Sequence, residues 1–304
     1  SLLFICATHL ATAQSITLDQ HPKHGQALVT LPLKTPDPNM TNLIQLAKHI
    51  GSSPGHLYQL NPSLFSENNT PHQSVNIYDL FTHNRIITPN IIRPLTINIP
   101  ERRLYFFDAE TLTVTIYPIA IGKLSTPTPS LGISTITEMI PNPTWYPTDE
   151  TKNYFAKHKG ITLPNAIPPG ADNPLGDYKI RLNGSSYMIH GTNKPHEIGL
   201  PASLGCFRMF NDHILTLKDR LHVNDQVMVM NQPIKWVVED DFLWVEAHPQ
   251  YPLAWTQEEI NEWIHNLPID PLSLAHYQAS IIQVIQQANG LPQLLGPIYE
   301  SNRS

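Results

Sequence analysis

Two hydrophobic periods alternate along this chain, and the places where one gives way to the other divide it. Between residues 42 and 61, Leu43, Leu46, Ala47 and Ile50 recur at helical spacing, and Gly51 follows as a stop. Asn39 and Thr41 are available to cap that helix. Ser53 caps a second, shorter helix with Pro54 at its first position, Leu57 and Leu60 on its face and Asn61-Pro62 at its end. Strand-like runs at 27–31 and 85–89 flank the pair, the second after a polar stretch at 66–74. Residues 14–92 are therefore expected to form a small β-α-α-β module.

From residue 93 to 233 the period changes to that of strands. Runs at 95–99, 103–107, 113–121, 132–137, 177–182, 186–189 and 226–230 are rich in β-branched and aromatic residues and separated by turn residues. Asn183-Gly184 between two of them is a tight-hairpin signal. One helix stands out at 212–221, capped by Asn211, with Ile214, Leu217 and Leu221 on one face. The expected fold is mainly β: a β-sandwich-like or barrel-like domain with one docked helix. A Pro-rich stretch at 141–176 carries Trp145, Tyr146 and Tyr154, and a loop of that length in a compact domain serves as a lid or binding wall. Residues 234–304 form a partly helical C-terminal extension suited to packing or partner contacts. It has strands at 236–239 and 242–246, a helix opened by the Thr256/Glu259 capping box, and a second helix at 273–288 before Asn289-Gly290.

Composition narrows the function classes. Of 304 residues, 41% are hydrophobic and 14% charged, which indicates a folded body, and 29 prolines disfavour long helices. The net charge of −6 gives no basic footprint for nucleic acid. No segment has the apolar length of a membrane span. Residues 1–13, with an apolar run at 2–7 and Ala11-Thr12-Ala13, read as the remnant of a secretory signal, which would leave Cys206 as the one cysteine of an exported chain. An unpaired thiol in that setting is either buried and inert or used for its reactivity.

The segment 186–211 decides for reactivity. A strand delivers His190 at its end, Gly191 lets the chain turn away, and a Gly- and Pro-punctuated loop returns to Ser203-Leu204-Gly205-Cys206. A thiol attacks an amide as the thiolate, so it needs a neighbouring base, and His190 meets that need. Gly205 leaves the backbone N–H groups beside Cys206 open toward a developing oxyanion. No histidine is paired with an acid or second thiol at metal-binding spacing, so neither metal nor cofactor is expected.

His190-Gly191-Thr192, Ser203-x-Gly205-Cys206-x-Arg208 and Asn211 together resemble the catalytic motif of the L,D-transpeptidases. "TWYPT" at 144–148 and "ADNPLGDY" at 171–178 resemble the periplasmic, peptidoglycan-modifying branch of that family. The likeness spans residues 95–233, and residues 43–64 resemble a LysM module, so the first region is expected to localise and not to catalyse. The resemblance implies that Cys206 attacks a tetrapeptide stem before its terminal D-Ala, with His190 as base and the Gly191 carbonyl orienting its ring. Arg208 would hold a substrate carboxylate or bridge the loop structurally, and Thr192, Ser203 and Trp145 are further substrate-binding candidates. Implied partners are peptidoglycan stem peptides and glycan. The acceptor is a stem amine, a lysine of a wall-anchored lipoprotein, or water, which would make the chain an L,D-carboxypeptidase. A non-catalytic wall-binding protein is the competing class. Two departures from the family pattern are Leu204, where many members carry His, and His213, where many carry Asp.

Overall fold

The computed structural model describes residues 13–17, 26–30, 42–61, 85–90, 94–123, 131–183, 187–249 and 255–299. The apolar run at 2–7, Cys6, Asn39, Thr41 and Gly184 lie outside these residues. In chain order the elements begin with β1 (Gln14–Thr17), β2 (Leu28–Thr30), α1 (Leu43–His49), α2 (Pro54–Leu60) and β3 (Arg85–Ile87). The central body holds β4 (Leu95–Asn98), β5 (Arg103–Asp108), β6 (Thr113–Pro118), β7 (Ile121–Gly122), β8 (Gly132–Pro141), α3 (Asp149–Lys159), β9 (Tyr178–Leu182), β10 (Met188–His190), β11 (Pro201–Ser203), β12 (Phe207–Arg208), α4 (Asn211–Lys218) and β13 (Gln226–Met230). The chain closes with β14 (Ile234–Glu239), β15 (Phe242–Ala247), α5 (Gln257–His265), α6 (Pro271–Gln287) and β16 (Gln293–Pro297).

Nine strands form one sheet in the order β1-β6-β5-β4-β13-β8-β9-β10-β12. Alternation sends Leu95, Ile97, Ile180, Leu182, Ile189, Phe207, Val227 and Val229 to one side, where they pack with Ile214 and Leu217 of α4. The sheet thus curls around its helix. Ala120, just past β6, exchanges both backbone bonds with Arg208 of β12 at 2.9 Å, which draws the far ends of the sheet together. The expected mainly β body with a docked helix is present, its two faces supplied by one curled sheet.

The elements β2, α1, α2 and β3 follow in the expected order, but β2 and β3 pair antiparallel with Val29 and Ile86 packed against Tyr105, Val114 and Ile116 of the large sheet, while Leu46, Ala47, Ile50 and Leu57 form a separate cluster between the helices. The cap of α1 is Asn42, whose side chain accepts from Ile44 N and Gln45 N, and Ser53 caps α2 as anticipated. This module is docked on the large sheet. Gly55 N donates to the Ile198 carbonyl at 3.0 Å, His56 Nε2 meets the Glu101 carbonyl at 2.7 Å, and Lys48 pairs with Asp212 at 2.6 Å.

The C-terminal extension has its own core of Ile234, Leu243, Val245, Ile264, Tyr277 and Ile281, between β14-β15-β16 and the two helices. A buried ionic knot joins all three parts. Lys235 Nζ lies 3.0 Å from Glu101 and 2.8 Å from Glu246 and donates to the Ile87 carbonyl, while Glu246 accepts from Ile87 N at 2.6 Å and from His248. Glu101, Glu246 and His248 bring ligand-type atoms within 4.8 Å of one another, an arrangement no local spacing announces. The Lys235 ammonium sits on both carboxylates, so the cluster is explained as an ion-pair network and not as a metal centre.

Three elements differ from expectation. β1 belongs to the large sheet and not to the N-terminal module. The Pro-rich stretch contains α3, capped by Thr148 and ended by Gly160 at φ +64°, a left-handed position that suits glycine. β16 pairs with β15, though Gly296 and the flanking prolines weaken its strand signal.

A thiol and an imidazole on adjacent strands

β10 runs antiparallel to β9 and parallel to β12, so His190 lies opposite Lys179 on one side and Arg208 on the other. Ile189 and Phe207 point into the core, fully buried, which turns His190 and Arg208 to the opposite face. Cys206 immediately precedes β12 and continues that face beside Met188, whose backbone N–H reaches the thiol. Diagonal neighbours across a strand pair stand roughly 7–8 Å apart at Cα, within side-chain reach. The alignment sets Cys206 on the same face as His190, two positions before its register partner Arg208.

The imidazole is fixed by its neighbours. His190 Nδ1 lies 2.6 Å from the Gly191 carbonyl, which only accepts, so Nδ1 carries the proton and Nε2 the lone pair. Burial, then the positive charges of Arg208 and Lys179, push its pKa down to about 3 despite the carbonyls of Gly191 and Leu175. Burial pushes the Cys206 thiol up, although the Met188 N–H and Arg208 pull the other way. Burial thus favours the neutral form of each group.

Other candidates hold the loop. Ser203 Oγ donates to the Cys206 carbonyl at 2.6 Å and accepts from Gly205 N at 3.0 Å. The Gly205 N–H is thus occupied and does not stand open as anticipated. Gly205 adopts φ +127°, and a Cβ there would lie 2.3 Å from the Tyr187 ring, so glycine is required on both counts. Thr192 Oγ1 accepts from Lys194 N at 2.9 Å, making a local turn. Asn211 is the first residue of α4 and makes no cap. Its Oδ1 accepts from Thr192 N at 2.9 Å, and a Cβ on Gly191 would lie 2.1 Å from that oxygen. Arg208 pairs with Glu197 on the 3-10 turn at Pro195–Glu197, the structural-bridge reading of that residue. Trp145 belongs to the Pro-rich stretch, half-buried and bonded both ways to Ile167 at 2.9 Å.

Sequence reasoning missed four contributors. Glu197 neutralises Arg208, and Tyr187 covers Gly205. Asn173 is fully buried, its amide donating to the carbonyls of Pro143, Ile167 and Pro168 within the Pro-rich stretch. Lys179 faces His190. Of these, only Asn173 sat in a recognised motif. His213 packs edge-on to Phe210 and Tyr117, and Asp212 makes the ion pair with Lys48.

These features define a mainly β protein with a thiol–imidazole pair presented on one face of a curled sheet. The family model of the L,D-transpeptidase catalytic domain (YkuD) matches residues 93–229. The probable L,D-transpeptidase ErfK/SrfK of Escherichia coli (strain K12) is 31% identical over 302 residues, covering 96% of this chain and 93% of its own length. The probable L,D-transpeptidase YcfS of the same organism is 39% identical over 180 residues, covering 58% of this chain and 54% of its own. The solution structure of the catalytic domain from the E. faecium L,D-transpeptidase aligns over 45% of this chain and 96% of its own, at 16% identity and a TM-score of 0.33. The chain belongs to the L,D-transpeptidase family.

Proposed function

We propose that this chain forms a thioacyl-enzyme on Cys206 from a peptidoglycan tetrapeptide stem, releases D-Ala, and passes the acyl group to an amine. The observation that carries this reading is the placement of Cys206 and His190 on one face of adjacent strands, with Nδ1 anchored by the Gly191 carbonyl. From a neutral pair, the thiol proton moves to His190 Nε2 as sulfur bonds the carbonyl carbon. The amide then breaks, and the proton leaves with the D-Ala amine. Deacylation reverses these roles: Nε2 takes a proton from the incoming amine as it attacks the thioester. Because the Gly205 N–H is bound to Ser203, the Cys206 N–H is the candidate donor for the oxyanion.

The same reading assigns the β-α-α-β module to LysM-type glycan contact and places the protein in the periplasm, on the strength of residues 1–13. No helix among the described residues is long and apolar enough to cross a membrane. Mass spectrometry of the protein incubated with a stem tetrapeptide tests the proposal. A mass gain on Cys206 with loss of D-Ala supports it, and an equal product yield from Cys206→Ala overturns it. Adding an amine acceptor separates transpeptidation from hydrolysis by water.

A further inference from the structure

Across β9, β10 and β12, one register row reads Lys179, His190, Arg208. All three side chains lie on the face away from the core, because Tyr178, Ile180, Ile189 and Phe207 occupy the other. The two flanking cations are not equivalent. Arg208 is bonded to Glu197, which also lies 3.6 Å from Lys194, so its charge is answered within the protein. Lys179 is half-buried and makes no ion pair with any carboxylate among the described residues. Its neighbour Arg181 on the same face is paired with Glu138 at 3.6 Å. A cation left unanswered beside the imidazole costs stability for the resting protein, and an incoming anion removes that cost.

We propose that Lys179 is a specificity residue that binds a carboxylate of the peptide donor next to His190. The inference rests on the proposed function, since a stem tetrapeptide supplies such carboxylates: the terminal D-Ala carboxylate and, where the third residue is a diamino dicarboxylic acid, its side-chain carboxylate. Cross-strand pairs stand roughly 4.5–5.5 Å apart at Cβ, so an anion on the lysine ammonium lies alongside the scissile bond that His190 serves. Binding there has a second consequence. Neutralising Lys179 removes one of the charges that disfavour a proton on His190, so the base accepts the thiol proton more readily once the correct donor is seated. A donor lacking the carboxylate would bind less well and leave the imidazole in its resting state.

Titration calorimetry on the Cys206→Ala protein tests this without chemistry intervening. Three ligands are compared: the stem tetrapeptide as free acid, its C-terminal amide, and the form amidated on the third residue's side chain. One of the two amides is expected to bind about tenfold more weakly than the free acid, as for loss of a charge-assisted contact, and that arm identifies the carboxylate. Adding Lys179→Gln should reduce the free acid to the affinity of that amide while leaving the amide's own affinity unchanged, which also reports an intact site. Lys179→Arg should restore the preference. Equal binding of all three peptides, no binding of any, or a preference that survives Lys179→Gln overturns the proposal. Failure of the proposed function reads differently: no thioester on Cys206 in the otherwise native protein, whatever the carboxylate preference.

Discussion

At Cys206 and His190 the decisive quantity is where the proton rests. Burial favours the neutral form of each group, and Arg208 acts on both while Lys179 acts on the imidazole. Removing His190 therefore takes away the proton acceptor without taking away a stabiliser of a resting thiolate. His190→Ala should leave the pH profile of Cys206 alkylation in place while slowing thioester formation by about 10²–10⁴, the usual contribution of a positioned base. Alkylation of the parent should accelerate only at higher pH than a free cysteine does. A marked loss of alkylation at neutral pH in His190→Ala would instead reveal a resting ion pair. His196, the other histidine of the loop, sits exposed on the 3-10 turn, and its replacement should change neither measurement.

Among the elements, α1 and α2 matter more than a tethered module would. Gly55 of α2 packs so closely that a Cβ there would lie 2.2 Å from the Gly199 carbonyl carbon. Gly199 follows the turn bearing Glu197, which holds Arg208 beside His190. Ile44 of α1 covers Ala120, Ile198 and Phe210. A chain starting near residue 92 would expose this surface and release the turn. It should therefore form thioester more slowly than the full chain even on soluble peptides, contrary to a purely localising role. Gly55→Ala should reproduce part of that loss, with destabilisation of about 1–3 kcal/mol from overpacking against backbone. Comparing thermal unfolding with thioester rates checks both, and unaltered rates for the shortened chain would mean the module is a tether after all.

For the whole molecule, the ionic knot and the buried histidines set the response to acid. Burial pushes the pKa of His190 down from 6.5 to about 3 in the folded chain, and also drives His56 and His248 down. Below pH 6.5 the unfolded chain takes up protons that the folded chain refuses, so stability present above that pH is lost as it falls toward 3. Burial opposes the Glu246 carboxylate, yet Lys235 and His248 hold it below the usual range, which adds a loss in the acid limb. Urea midpoints should fall steadily from pH 7 to pH 4 with unchanged slope. Lys235→Met removes one partner of a buried network and should cost about 3–5 kcal/mol. A pH-independent midpoint, or a neutral Lys235→Met, would show that the knot contributes little to cohesion.

Local chemistry was legible where neighbours in sequence remain neighbours in space. The period of Leu43, Leu46 and Ala47, the caps at Ser53 and Thr256, the strand runs, and the His190-Gly191 and Gly205-Cys206 pairs all depend on residues within a few positions of each other. Even so, the cap of α1 fell at Asn42, because capping depends on backbone geometry at a single position. Register was not legible. Lys179 meets His190, and Glu197 meets Arg208, only after β9, β10 and β12 align, and no local pattern encodes which rows coincide. The knot of Ile87, Glu101, Lys235, Glu246 and His248 draws on three separate parts of the chain. The residues proposed as reagents are named by the sequence, whereas their charge partners and the bias on their protonation were decided by burial and strand alignment, which exist only once the chain has folded.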